Sequence, residues 1–475
     1  MGASETHGGF KPEQASLLGF GLFLAWGTLT SSLTVSLDVA ALSSSVGRLF
    51  VISPLNAVCY LAIAAYVHAT GRNLWTRPTI AVCCALAVLF VPLEYAAAAS
   101  GAFALDLVAI VAHSLAYVGL FLAWNVQIAR QQPRVAWTTY AASMVLSSAL
   151  SLAMQAAPVA GLAVAVLLLA LLQGFLLARC DHTLEVPEAA DDEPATWRIP
   201  WRPILLIIVF SLAFSAVQHY EGRLAVSDEL GRLVAALATL ACAVALFTRF
   251  DENIIARVST VLMVTALLIC GIEDFADPYG AAKLLASIAY YGFMLYVYLA
   301  LSTICYRYQA RVEWLFGIVQ AIYSMMTAPS SLLGNVLQGA DGLVVDVAMD
   351  GIAVAVLTLS LFLIMNGTFS STWGIKASRQ VTTQEGERMT LPEGADYLRD
   401  NAYCCTLIAK EFGLTRREEE VLSLMAEGKT FAQIEALLYI AHGTLRAHVQ
   451  HLYAKLDVHS REEACAFVES WKARG

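Results

Sequence analysis

Asp106, His113, Tyr117 and Trp124 stand at separations of 7, 11 and 18 residues from the first. At about 100° per helical residue, all four fall within roughly 20° of one line. An acid, an imidazole, a phenol and an indole along one face offer hydrogen bonds and stacking surfaces, which is recognition chemistry for a small molecule. Trp26 (with Thr30 and Ser31), Glu94, the run Gln218, His219 and Tyr220, and Tyr291 (with Tyr290 and Tyr298) add residues of the same kind in other apolar stretches. These make Trp26, Glu94, Asp106, His113, Tyr117, Trp124, Gln218, His219 and Tyr291 the candidate ligand-binding set. No nucleotide loop, kinase motif, receiver domain or paired catalytic constellation accompanies them, so no catalytic residue and no enzyme is expected. The ten cysteines include the vicinal pairs Cys83-Cys84 and Cys404-Cys405 but lack metal-ligand spacing, so neither a metal nor another cofactor is expected.

The elements that must hold these residues are membrane-spanning. The chain is 58% apolar and 14% charged, against about 25% charged in soluble domains. Of its 67 charged residues, 39 lie in positions 1–368 and 28 in the last 107. Hydrocarbon is therefore the expected environment of the long part and water that of the short part. A helix needs about 20 mostly apolar residues to cross a bilayer. Runs of that kind lie near 15–37, 49–68, 78–99, 103–128, 136–154, 158–178, 202–220, 230–248, 254–274, 281–305, 312–335 and 343–366. The first lacks a basic flank and a small-residue cleavage site, so it reads as a retained span and not a signal peptide. The polar stretch 179–201 divides the twelve spans six and six.

Lys and Arg collect in cytoplasmic loops. With the N-terminus inside, fourteen fall in inner segments and four (Arg48, Arg223, Arg232 and Lys283) in outer ones. This predicts a multi-pass protein of the cytoplasmic membrane with both termini in the cytoplasm. Twelve acids, among them Glu94, Asp106, Asp346 and Asp350, fall toward the outer half. The outer mouth is accordingly expected to be electronegative and to favour a cationic or hydrogen-bond-donating ligand. The six-plus-six layout resembles the major facilitator superfamily over about three quarters of the chain. Its loop from His68 to Pro78 keeps Gly71 and Arg72 but lacks the acidic residue of the family's signature there.

After Met365 a Thr-, Ser-, Gln- and Glu-rich linker leads to short amphipathic segments. The pattern divides the chain into a cytoplasmic N-terminus (1–14), a transmembrane domain (15–366), a linker (367–393) and a tail domain (394–475). A lead-in helix is expected from Leu391 to Phe412. Thr415 is placed to cap the next helix, with Glu418 in its first turn and Val421, Leu422, Leu424 and Met425 on its apolar face. Gly428 is a natural stop, and Ile434, Leu437 and Leu438 belong to a further helix. Leu445, Val449, Leu452 and Leu456 form the inner stripe of the one after it.

This succession is the helix-turn-helix plan, and the tail resembles the LuxR-type DNA-binding domain from Leu414 to Trp471. The matching residues are Leu414, Thr415, Arg417, Glu418, Val421, Leu422, Gly428, Ile434, Leu438, Ile440, Thr444, Arg446, His448, Lys455, Leu456, Val458, Arg461 and Ala464. The resemblance implies that Arg446, Ala447 and Gln450 face base edges and that Thr444, His448 and Lys455 lie near phosphates. Ala441 stands where the family usually has a capping Ser, and Glu435 where a small residue is common. The apolar stripe Ala464, Phe467, Val468 and Trp471 is expected to mediate weak pairing of two tails.

The expected fold class is all-α: a twelve-helix bundle followed by a four-helix LuxR-type domain. The expected function is that of a one-component membrane transcription regulator, which binds a small ligand, aromatic or cationic, in the bundle and operator DNA with a dimeric tail. Double-stranded DNA, the lipid bilayer and RNA polymerase are its expected partners. The alternative is a transporter with a secondary DNA-binding tail.

Overall fold

The computed structural model describes residues 16–37, 45–72, 74–131, 133–180, 196–197, 201–218, 228–245, 253–270, 278–308, 310–340, 342–361, 375–376, 380–382, 388–390, 401–426, 429–438 and 442–474. They form two compact units, one from the chain up to Asp192 with Pro200–Asn366, the other from Glu193–Ile199 with Gly367–Gly475.

The described residues of the first unit hold twelve α-helices. The first half comprises α1 (Gly19–Ser36), α2 (Ser45–Thr70), α3 (Arg77–Ser100), α4 (Phe103–Ala129), α5 (Pro133–Met154) and α6 (Val159–Arg179). The second comprises α7 (Trp201–Gln218), α8 (Asp228–Ala245), α9 (Asn253–Ile269), α10 (Pro278–Tyr308), α11 (Val312–Gln338) and α12 (Gly342–Ser360). Each begins and ends near a predicted span, because the apolar runs leave backbone groups that only an internal hydrogen-bond ladder satisfies in lipid. Proline stands in the first turn or at the N-cap of α3, α5, α6 and α10, where its missing N–H costs nothing. Among the described residues seven helices, α1–α6 and α10, are long and apolar enough to cross a membrane. Shorter apolar helices lie in α7, α9 and α12.

Helix α1 packs between α5 and α6, and α3 packs on α4. The halves meet where α2 lies on α11 and α5 on α8. One end of the bundle gathers the starts of odd-numbered helices and the ends of even-numbered ones; we call it the near end. There the Trp75 indole donates to Glu313 Oε1 at 2.9 Å and Arg311 Nη1 to the Val67 carbonyl at 3.0 Å, so each half holds the other. Deeper in, the Tyr140 hydroxyl joins Asn125 of α4 (2.7 Å) to Ser302 of α10 (2.8 Å).

The second unit contains α13 (Asn401–Phe412), α14 (Arg416–Ala426), α15 (Phe431–Leu438), α16 (His442–Leu456) and α17 (Arg461–Arg474). Two short antiparallel strand pairs add to this helical fold: β1 (Thr196–Trp197) with β2 (Ile375–Lys376), and β3 (Gln380–Thr382) with β4 (Arg388–Thr390). The five helices share one core of Cys404, Cys405, Ile408, Val421, Leu422, Met425, Ile434, Leu445, Val449, Leu452, Leu456, Val458, Ala464 and Val468. The lead-in helix therefore belongs to the domain. It stops at Gly413, whose φ of +62° is a left-handed conformation that an L side chain strains.

Candidate functional site

In the bundle, His113 and Tyr117 of the four residues aligned on α4 share one stack, while Asp106 pairs with Arg48. His113 stacks on Trp26 of α1, with ring centroids 5.2 Å apart, and on Tyr117 at 5.8 Å; Phe90 of α3 is 5.0 Å from the His113 ring. Thr30 Oγ1 lies 3.3 Å from His113 Nε2. The row continues through Phe121, parallel to Tyr117 within 14°, to Tyr298 and Phe316 of the second half. Phe121 was missed from sequence because it has no polar handle, although the i, i+4 spacing from Tyr117 could have signalled it. Trp124 leaves the row. It is fully buried against α1, where a Cβ on Gly19 would come within 2.3 Å of its ring.

The second half supplies phenols: the Tyr290 hydroxyl donates to that of Tyr323 at 2.9 Å, and Gln320 donates to the Tyr298 hydroxyl at 3.1 Å. His113, Tyr117, Tyr291, Tyr298 and Tyr323 are half-buried, whereas Trp26 and Trp124 are fully covered. The buried indole N–H groups of Trp26 and Trp124 have no acceptor among the described residues. Gln218 donates to Ser287 Oγ at 2.9 Å, which in turn donates to Asp228 at 3.1 Å. His219 and Tyr220 lie outside the described residues.

Two cations counted as outer in the sequence lie inside the bundle. Arg48, counted as a loop residue in the sequence, is only 11% exposed and pairs with the fully buried Glu94 and, at 3.0 Å, with Asp106. Arg232, also counted as an outer loop residue, is buried. It pairs with Glu229, donates to Ser148 (3.0 Å) and Ser151 (3.5 Å) of α5 and to Thr28 of α1 (3.2 Å), and lies 5.5 Å from the Tyr291 ring centroid. Both guanidiniums are drawn inside because a buried carboxylate without a counter-charge costs several kcal/mol. Asp350 is exposed, and the Asp346 side chain lies outside the described residues.

In the tail, α14 opens with a capping box. Glu418 N–H donates to Thr415 Oγ1 at 3.4 Å, and Thr415 N–H to Glu418 Oε2 at 2.7 Å. The stripe Leu445, Val449, Leu452 and Leu456 of α16 faces the core, so Thr444, Arg446, Ala447 and Gln450 are exposed on the other side and His448 is half-buried beside them. His442 Nδ1 meets Glu435 at 2.6 Å, which ties the start of α16 to α15. Glu435, unusual in sequence, thus supports the turn. Residues 427, 428 and 439–441, with Gly428, Ile440 and Ala441, lie outside the described residues.

Lys455 is engaged within the domain: its Nζ donates to Glu418 at 2.7 Å and to the Gly413 carbonyl at 2.9 Å. The stripe expected to pair two tails is partly covered: Phe467 and Trp471 are half-buried. Ala464 and Val468 are in the core, and Phe412 packs edge-on to Phe467 and Trp471 at 5.4 and 5.8 Å. The reason is α13, which occupies the face that a four-helix domain would leave open.

Burial alone would push the Glu418 carboxyl up, but Lys455 and the Thr415 backbone and hydroxyl outweigh it and hold the group below the ordinary carboxylate range. A depressed carboxyl contributes stability in full above its unfolded value, and that contribution is lost as the pH falls through the folded one. Glu418→Gln should therefore destabilise the tail by about 1–2 kcal/mol near neutrality, a range reduced because Lys455 is partly exposed. The gap to wild type should close in acid. Thermal melts of residues 401–474 near neutrality and near pH 3 test this; a gap that stays constant in acid contradicts the assignment.

Residues 413–468 match the bacterial regulatory proteins of the luxR family. The transcriptional regulatory protein YhcZ of Bacillus subtilis is 41% identical over 66 residues, covering 14% of this chain and 31% of that protein. The transcriptional regulatory protein NarL of Mycobacterium tuberculosis is 47% identical over 53 residues, 11% of this chain and 24% of that one. The chain thus spans about a quarter to a third of the length of these relatives. Among solved structures, the human organic anion transporter MFSD10 (TETRAN) aligns over 74% of this chain and 99% of its own, with a TM-score of 0.54 at 15% identity. The Escherichia coli fucose:proton symporter FucP aligns over 74% and 97%, with a TM-score of 0.52 at 12% identity. At such identities the similarity is one of fold. The chain joins a major-facilitator-like helical bundle to a LuxR-type helix-turn-helix domain.

Proposed function

We propose that this protein is a one-component membrane transcription regulator, whose bundle binds a small molecule and whose tail binds operator DNA. The observation that carries the proposal is the joining of the two units in one chain, with the polar face of α16 exposed for DNA. The half-buried rings along the join between the halves support a ligand site there, and the aromatic row favours a flat ligand with a hydrogen-bonding edge. A ligand shifts output only by its differential affinity for two bundle states. The contacts that hold the halves together at Tyr140, Trp75, Arg311 and Arg232 are the ones such a shift would remake.

In this proposal both termini are cytoplasmic, the tail acts as a dimer on paired half-sites and touches RNA polymerase, and no reaction is catalysed. Pairing through the α17 stripe would use Phe467 and Trp471, its half-buried members. The alternative is transport, favoured by the fold of the bundle alone.

The deciding experiment maps chromosomal sites by immunoprecipitation of the full chain and then screens small molecules on a reporter built from one of them. Labelled compound is followed in the same cells. Enrichment of discrete promoters, and a response without uptake that scales with protein level, is the expected outcome. Absence of promoter enrichment overturns the regulator reading, and uptake proportional to protein level favours the transporter.

A further inference from the structure

The charges inside the first half do not balance. Glu94 of α3 and Asp106 of α4 are both fully buried, and among the described residues the cation beside them is the single guanidinium of Arg48. Arg48 donates a hydrogen bond to Glu94 Oε1. Glu94 Oε2 and both oxygens of Asp106 accept none, although Asp106 Oδ1 is 3.0 Å from the guanidinium.

Among the described residues, the helices packed around this cluster supply no second cation; Arg223, between α7 and α8, lies outside the described residues. Helix α1 has no charged residue, α5 and α6 carry only Arg134 and Arg179 at their near ends, and α11 carries only Glu313, also at its near end. On α10, Lys283 lies in the other half near Asp228 and Arg307 at the near end. The titratable group that interacts with the cluster from its own helices is then His113, two turns along α4, which feels the Arg48 charge. Asp38 lies outside the described residues. With both acids ionised, the cluster would hold one uncompensated negative charge in a dry interior, at a cost of several kcal/mol.

We propose that Arg48, Glu94 and Asp106 form a proton-binding site that holds one proton between the two carboxyls. A proton suits the site better than a metal ion, since no group of three or more metal-binding side chains occurs among the described residues. It also adds almost no volume where the guanidinium already fills the space between the acids. The step is simple protonation: water or hydronium gives H⁺ to a carboxylate oxygen, one O–H bond forms, and no electron is transferred. The protonated acid then becomes a donor that can serve the oxygens now lacking one. The site stands on charge balance, so it does not depend on ligand sensing. If sensing holds, the proximity to His113 makes the state of the bundle sensitive to proton activity.

Charge balance also gives the test, carried out on the full-length protein in detergent or nanodiscs. Asp106→Asn and Glu94→Gln each leave one acid facing one base. Each should be at least as thermally stable as wild type at about pH 8. The double variant and Arg48→Met, each with an unmatched buried charge or forced double protonation, should be markedly less stable.

A folded state that holds a proton the unfolded chain releases loses stability as the pH rises. The folding constant falls up to about tenfold per unit above the ordinary carboxylate range. The wild-type Tm should therefore decline from about pH 5.5 to 8 more steeply than that of either single variant. Infrared difference spectra between those two pH values should show a protonated-carboxyl stretch in wild type that both single variants alter. Overturning results would be single variants as unstable as Arg48→Met, a pH dependence of Tm identical in wild type and Asp106→Asn, or no protonated-carboxyl signal in wild type.

Discussion

Replacing Arg446 by alanine is expected to lower the affinity of the tail for its operator by about 5- to 150-fold, the equivalent of about 1–3 kcal/mol for one bidentate contact to a guanine edge. Arg446 is exposed, one residue beyond the core-facing Leu445, and forms no ion pair among the described residues, so its loss leaves the domain core intact. The five-helix domain has its own core and can be studied as residues 401–474. Footprinting against operator and unrelated DNA should show a selective loss, with non-specific, salt-dependent binding little changed because that is set by phosphate contacts. Unchanged protection by the variant would remove Arg446 from the base-reading role. A parallel Lys455→Met variant should behave differently. Since Lys455 holds Glu418 and the Gly413 carbonyl, its replacement should lower the Tm of the tail before it changes sequence preference.

The second large effect is expected at His113. Its ring is the middle of the Trp26–His113–Tyr117 stack and keeps part of its surface open. A ligand stacked there would lose an aromatic partner worth about 0.5–1.5 kcal/mol beyond its area, besides any hydrogen bond made by the imidazole. In His113→Ala, the concentration of inducing compound that gives half-maximal reporter output should therefore rise by about tenfold. Chromosomal occupancy by the tail without the compound should be unaffected. The comparison is made at matched protein levels in the membrane, with Trp124→Phe as a control in a buried ring outside the row. A dose response unmoved in His113→Ala and shifted in Trp124→Phe would relocate the site.

Much of this architecture could be read from residue order because the controlling physics is local. A run of about 20 apolar residues must be helical in hydrocarbon, and the observed helices follow the predicted spans closely. The alternation Leu445, Val449, Leu452 and Leu456 fixes which face of α16 is inward. The phrase from Thr415 to Glu418 fixes where α14 begins. The angular alignment of Asp106, His113 and Tyr117 is a property of one helix and needs no partner to be recognised.

Whatever depends on which helices are neighbours could not be read in this way. Arg48 and Arg232 look like loop cations when counted by side, yet each enters the bundle because buried carboxylates on other segments need a counter-charge. Trp124 shares the angular position of His113 but lies about 16 Å further along the helix, where Gly19 of α1 leaves room for its ring. The α17 stripe looks wholly free until α13 packs on part of it, and Lys455 looks available to phosphate until Glu418 is found beside it. Sequence determined the helices, their faces and which side of α16 is exposed, since periodicity and capping act over a few residues. Tertiary structure decided the charge pairs, the course of the aromatic row and which apolar stripes remain open, because electrostatics and packing in a dry interior act between residues far apart in the chain.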